Sequence, residues 1–382
     1  MEYQELKECA KYSNLRTSTF TKDTYISTEN MLPNKGGVTS IDSIPTCKTT
    51  AKYESSDILI SNIRPYFCKI WFATREGGCS NDVLVIKAKK TIEPKFLYYV
   101  LSDKNFFNYD TITSKGTKMP RGNKNAIMKY LVPKFSPLTQ QKISSILSAY
   151  DRLIENNTRR IRLLEQMAEN LYKEWFAYHK IKGQSTAVKL KEVVSITRGL
   201  SYSSEEIDCT DGNNLINLKN IQGYGGFRLD GTKLYNGKYK PEQIVEEGDL
   251  IMGVTDMTQD RRTVGSVALI PNVNTLSVIS ADLVKINSSI DNTYLYAMFR
   301  YGNVSRHIAQ FANGANVLHL RPKSILNIKV FLPNQDIIDS FVSKVKPMIQ
   351  LTNRLNTEID SLTRQRDLLL PRLMSGKLEV KS

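Results

Sequence analysis

The sequence predicts an α+β protein in which two similar mixed α/β domains are separated by two long helices that pair as a coiled coil. Three observations carry that prediction. Apolar residues recur at 4–3 spacing through two long stretches, one in each half of the chain. The regions preceding these stretches repeat one order of strand, helix and loop motifs, as an internal duplication would. The chain has 382 residues, 41% of them hydrophobic, which suits two or three domains with real cores and excludes wholesale disorder.

Residues 1–136 read as the first domain, with short β-branched and aromatic runs broken by Gly, Asn, Asp and Ser. An acid opens each of two strands, Asp57-Ile58-Leu59-Ile60 and Asp82-Val83-Leu84-Val85-Ile86. The aromatic-rich helix Phe96–Leu101, a polar loop around Gly116 and the apolar strand Tyr130-Leu131-Val132-Pro133 follow. Residues 137–181 read as the first long helix. Its seam is Ile143, Leu147, Tyr150, Ile154, Asn157, Ile161, Leu164, Ala168, Leu171 and Trp175, with no glycine or proline between them. Thr139 after Pro137 is the expected N-cap and Gly183 the expected exit. Leu171, Tyr172, Trp175 and Phe176 are expected to pack on the globular part, with Arg159, Arg160 and Arg162 facing outward.

Residues 182–333 repeat the first domain's order. Asp249-Leu250-Ile251-Met252, then Asp282-Leu283-Val284-Lys285-Ile286, the helix Tyr294–Phe299, a loop around Gly314 and the strand Val330-Phe331-Leu332-Pro333 follow one another. Residues 334–382 form the second long helix, with the seam Phe341, Val345, Met348, Thr352, Leu355, Ile359, Leu362, Arg366 and Leu369 running until Pro371. Pro347 is expected to kink or delay it. Asn157 and Thr352 put one polar residue near the middle of each seam, which costs stability and fixes register.

With 53 Lys and Arg against 38 Asp and Glu, the chain carries a formal charge of +15, which is a statement about partners. Nucleic acid is the first candidate and a membrane surface the second. The excess is spread along the chain, with 21 basic and 13 acidic residues in 1–136 and 17 and 14 in 182–333. No apolar run is long enough to span a bilayer, and Met1–Arg16 lacks the apolar core of a signal peptide. Five cysteines without a C-x-x-C pair argue against a disulfide framework. A soluble, cytoplasmic protein is expected. Phosphate-binding loop, dinucleotide fingerprint and nucleophile elbow are all missing. His179, His307 and His319 have no metal-ligand spacing. No catalytic or metal-binding residue is therefore assigned, and the chain reads as a binder.

The tandem order of domain and helix resembles the specificity subunit of Type I restriction–modification systems. The resemblance is carried by Asp249–Met252, by Pro137-Leu138-Thr139-Gln140-Gln141-Lys142-Ile143, by Lys189–Val194 followed by Thr197-Arg198-Gly199, and by the ending Leu368–Gly376. No counterpart of the Val193–Gly199 start is visible before Tyr25. The resemblance implies that each globular region is a target-recognition domain reading half of a split, asymmetric site in double-stranded DNA. It implies that the helices pair antiparallel as a spacer. It further implies two methyltransferase subunits and two restriction subunits as partners, with S-adenosylmethionine, ATP and Mg on those partners and no cofactor in this chain. The rival reading is a non-enzymatic coiled-coil scaffold with two protein-binding domains.

Base readout favours Arg, Lys, Asn and Gln, and phosphate contacts need positive charge. In the first domain the loop Ser114–Asn125 supplies Lys115, Lys118, Arg121, Asn123, Lys124 and Asn125 without an acid. Its counterpart supplies Asn313, Asn316, Arg321 and Lys323, with His319 a minor candidate. Two further loops follow equivalent strands: one holds Arg64 and Tyr66, the other Gln259, Arg261 and Arg262, where Asp260 is a ready partner for Arg261. Tyr202 and Tyr224 either stack on a ligand or plug a turn, and the sequence leaves that open.

Overall fold

The computed structural model describes residues 2–177, 185–207 and 209–378, so Gly183 and the 181/182 boundary lie outside the described residues. The chain divides into two compact units, Met1–Glu155 with Ser361–Ser382, and Asn156–Asp360; the division passes through both long helices.

In the first unit the strands Ala10–Tyr12, Val83–Ala88, Ile58–Ser61 and Ile70–Phe72 form an antiparallel sheet in that order. A second sheet has the order Arg16–Thr17, Thr50–Tyr53, Gly77–Cys79, Tyr25–Ile26, with only its last pair parallel. The acid-led runs lack apolar–polar alternation because the first sheet is buried on both faces. Ile58, Ile60, Leu84 and Ile86 meet Phe96, Leu97 and Phe106 on one side. Leu59, Val83 and Val85 meet Ile26, Met31 and Tyr53 on the other. The helix Pro94–Ser102 starts on Glu93, whose carboxylate accepts from the Phe96 N–H.

The second unit repeats the first sheet strand for strand; its other sheet keeps three strands and places the fourth, Lys233–Tyr235, on the edge opposite to that held by Arg16–Thr17. One sheet runs Val194–Arg198, Leu283–Ser288, Leu250–Gly253, Val267–Leu269; the other runs Lys233–Tyr235, Asn213–Ile216, Ser277–Ile279, Ile244–Val245. In both units the first strand pairs antiparallel with the last: Tyr3–Glu5 with Leu131–Pro133, and Ser185–Lys189 with Lys329–Pro333. The match reveals the start that the sequence hides. The turn Leu6-Lys7-Glu8-Cys9 corresponds to Leu190-Lys191-Glu192, each opening on a fully buried leucine. Ala10–Tyr12 then pairs with Val83–Ala88 as Val194–Arg198 pairs with Leu283–Ser288. The expectation of no counterpart before Tyr25 is corrected: Leu-Lys-Glu survives, and the residues after it diverge.

The long helices are Pro137–Tyr172, 36 residues, and Gln335–Met374, 40 residues. Ser136, rather than Thr139, caps the first: its hydroxyl accepts from the Thr139 N–H at 3.2 Å, and proline follows at the first helical position, where no N–H is needed. The second helix neither waits for Pro347 nor stops at Pro371. Pro347 costs one hydrogen bond, but Pro347 and Ser343 are exposed, so water can serve the freed carbonyl while Val345 stays in the core.

Within the first unit Ile143 and Leu147 share a core with Leu370 and Leu373, and Arg366 donates to Asp151 at 2.8 Å, so the segments run antiparallel. Tyr99 donates to the same carboxylate. Within the second unit Ala168 and Tyr172 share a core with Phe341 and Val345, and Trp175 and Phe176 pack on the Phe341 ring at 6.0 and 5.0 Å. Asn157 and Leu355 are buried; Tyr150, Ile154, Ile161, Leu164, Leu171, Met348, Thr352, Ile359 and Leu362 are half-buried. Arg159, Arg160 and Arg162 are exposed.

Candidate nucleic-acid interface

In each unit a seven-residue hairpin stands beside the loop that follows the acid-led strand. Lys115 and Arg121 exchange both backbone hydrogen bonds at 2.9 Å; Asn313 and His319 do the same at 3.1 and 2.9 Å. The second hairpin needs glycine at 314 (φ +155°), because a Cβ there would lie 1.9 Å from the Val317 carbonyl oxygen. The Arg64 N–H donates to Pro120 and the Gly122 N–H to Asn62, at 2.8 and 3.1 Å. In the second unit Thr255–Asp256 pairs with Leu318–His319, and the Leu320 N–H donates to Val254 at 2.8 Å. Loops read separately in the sequence are thus joined into one platform in each unit.

Lys115, Lys118, Arg121, Lys124 and Asn125 are exposed. Arg121 meets an acid from outside the loop, Asp82, at 3.2 Å. Asn123 is half-buried and caps the turn Lys124–Ile127, accepting from the Asn125 and Ala126 N–H groups. Arg64 is exposed with left-handed backbone (φ +51°), and Tyr66 is half exposed against Phe67. In the second unit Asn313, Asn316, His319, Arg321 and Lys323 are exposed. Gln259 donates to the Ala315 carbonyl at 3.0 Å, tying loop to hairpin. Asp260 pairs with Arg262 at 2.8 Å, not with Arg261. Buried Asp256 accepts from the Thr258 and Thr263 N–H groups at 2.8 and 2.7 Å. Burial alone opposes its ionisation, but these donors hold its carboxyl below the usual carboxylate range and so fix the intervening loop.

Equivalent hairpin positions carry different chemistry: Lys115 faces Asn313 in the comparison, Lys118 faces Asn316, and Arg121 faces His319. The footing differs too. Asn62, Asp110 and Gly122 occupy the places of Val254, Ile308 and Leu320, all three buried apolar residues. Asp110 is fully buried, neither carboxylate oxygen has a hydrogen-bond partner, and burial pushes its pKa up to about 7. Glycine at 122 makes room, since a Cβ would lie 2.5 Å from Asp110 Oδ1 and 2.9 Å from Asn62 Oδ1.

A carboxyl whose folded pKa lies above its unfolded value near 3.8 binds its proton more tightly when folded. Its contribution to stability is full below the unfolded value, is lost as pH rises towards about 7, and is flat above that. The slope in this window is at most about 1.4 kcal/mol per pH unit. Denaturant unfolding of the full chain should therefore show stability falling from pH 5 to pH 7. Asp110→Asn should flatten that fall and raise stability at pH 8; an unchanged pH profile would show that Asp110 does not govern it.

Sequence reading missed a concavity of about 680 Å³ beside the second hairpin, reaching from Val317 and Met257 to Lys219, Lys233 and Tyr202. Lys233 lies 5.6 Å above the Tyr202 ring, and Met257 is exposed. These residues come from separate loops, so no local motif announces them.

Residues 3–166 match the family described as the Type I restriction modification DNA specificity domain. The chain is 23% identical over 318 residues to the Type I restriction enzyme MjaIX specificity subunit of Methanocaldococcus jannaschii, covering 77% of this chain and 71% of that one. Over most of its length the chain is thus similar to Type I specificity subunits, and residues 3–166 carry the family's domain. The MjaVIII specificity subunit of the same organism is likewise 23% identical, over 81% of this chain and 76% of its own. The crystal structure of the Type I restriction–modification S subunit from M. genitalium has the same fold, with a TM-score of 0.62 at 14% identity, covering 100% of this chain and 96% of that one. Among the described residues, no helix is long and apolar enough to cross a membrane. No group of three or more His, Cys, Asp or Glu among them is placed to hold a metal ion.

Proposed function

We propose that the chain reads a bipartite, asymmetric site in double-stranded DNA, one half-site per unit, and positions partner subunits on it in the cytoplasm. The observation that carries this reading is the recurrence of one hairpin-and-loop platform with different side chains at equivalent places. Equal geometry suits docking on the same groove, while Lys, Lys and Arg against Asn, Asn and His suit different bases. Lys115, Lys118, Arg121, Lys124, Arg64, Arg261, Arg262, Arg321 and Lys323 supply phosphate contacts and guanine readout. Asn125, Asn313, Asn316 and Gln259 supply amide readout, Tyr66 an aromatic contact, and Asn123 orders the backbone beside them. Helices of 36 and 40 residues are about 54 and 60 Å long, more than one duplex turn of about 34 Å, and serve as the spacer.

The partners are two methyltransferase subunits, which bring S-adenosylmethionine, and two restriction subunits, which bring ATP and Mg. This chain performs no bond chemistry. A long-read map of methylated adenines, with and without the gene, should lose a single split motif of two short halves around a fixed gap. An unchanged map, together with binding to duplex DNA that ignores salt between 50 and 200 mM, would favour the protein-scaffold reading instead.

A further inference from the structure

We propose that Tyr224 is a base-stacking contact through which the second unit grips its half-site. The inference rests on the DNA-recognition reading and adds a residue and a mode of contact to it. Tyr224 sits at the tip of the turn Ile221–Phe227, whose backbone is left-handed at three successive residues: Tyr224 (φ +68°), Gly225 (+109°) and Gly226 (+110°). Glycine suits such a conformation and tyrosine does not, so an aromatic at this tip is held against local preference. The turn is nonetheless rigid. Gln222 N–H donates to Gly226, Gly225 N–H to Gln222 and Gly226 N–H to Val267, each at 2.9 Å. The Tyr224 N–H donates to the Arg262 carbonyl at 2.8 Å, which fastens the tip to the loop carrying Arg261 and Arg262.

The ring does not plug the turn. Tyr224 is 57% exposed, whereas Gly225 faces inward, where a Cβ would come within 3.0 Å of the Arg300 side chain. The first unit shows that the fold does not call for a displayed ring at this place. Its equivalent turn, Met31–Val38, also has left-handed residues at its tip, Asn34 and Lys35, and its N–H groups reach the matching loop at Phe67 and Cys68. There the place of Tyr224 is taken by Asn34, a small exposed amide, and the next residue is docked: the Lys35 ammonium pairs with Asp367 at 3.0 Å and is largely buried. One copy anchors its tip; the other presents a stiff aromatic surface beside arginines. A pre-ordered ring loses little freedom on binding, and stacking suits any base face.

Tyr224→Gly separates function from fold, because it removes the ring while relieving the backbone. In the assembled methyltransferase complex, affinity for target duplex should fall about tenfold, with the unfolding midpoint of the chain unchanged or higher. Tyr224→Phe should keep wild-type affinity, since stacking needs no hydroxyl. A 2-aminopurine moved through the second unit's half-site should lose quenching at one position in Tyr224→Gly. Wild-type affinity and quenching in Tyr224→Gly would overturn the inference, as would a parallel loss of affinity and stability. Unchanged DNA binding with weakened assembly would assign the ring to a protein partner. Wild-type complex that does not select a target duplex would overturn the underlying recognition reading itself.

Discussion

Neutralising Lys115, Lys118, Arg121 and Lys124 together, by Lys→Gln and Arg121→Gln, should abolish recognition by the first unit. All four side chains are exposed, so the expected loss is in binding and not in folding. Three of them sit on or at the ends of one hairpin whose backbone is closed by paired hydrogen bonds, and Lys124 begins the turn that Asn123 caps. They would therefore meet a duplex as one rigid group. If each meets a phosphate, the salt dependence of log affinity should flatten by about 3 to 4, close to 0.9 per lost contact. Arg121 contributes less to that slope than a free cation would, because Asp82 already lies 3.2 Å from it. Titrations of target duplex between 50 and 200 mM salt measure both numbers. Unchanged affinity and slope would remove the hairpin from the interface.

Exchanging residues 182–333 for the corresponding domain of a Type I specificity subunit should rewrite one half of the methylated motif and leave the other half and the gap intact. The second unit has its own double-sided sheet and its own platform, so on the proposed reading its half-site is set there. The graft must respect one junction. Tyr294 and Phe299 share a core with Ala168, Tyr172, Phe341 and Val345, which come from the retained helices. A donor that cannot fill that core would lose stability by several kcal/mol per truncated aromatic, about 3 to 5. Circular dichroism of the graft tests that point, and methylation mapping tests the specificity. Altered bases in both halves would contradict separate reading by the two units.

The seams were legible because a 4–3 apolar period survives substitution: among the seam residues described, none is fully exposed. The duplication was legible where an acid opens a continuous apolar run, since Asp57 and Asp249 both bind back to the turn before their strands. The first domain's start was not, because only Leu-Lys-Glu remains of it. The platform was also hidden. It depends on backbone bonds such as Arg64 to Pro120 and Leu320 to Val254, which join segments more than fifty residues apart and leave no side-chain signature. Ser136 and Thr139 are both competent caps by residue type, and only the turn geometry chooses between them. The exposed status of Tyr224 follows from its neighbours' conformation, with glycines turned inward and the ring turned out.

The ribbon that joins the first and last strands of each unit has a consequence for how such a chain changes over generations. Tyr3 lies opposite Pro133, and Ser185 opposite Pro333, so each globular segment leaves close to where it began. A segment of that kind behaves as a cassette: it can be lifted out at the gene level without rerouting the rest of the polypeptide. Recombination within the stretches that encode the helices would trade a whole globular segment in a single event. The two segments share the strand order of one sheet but differ along their hairpins, as expected of parts free to be acquired independently.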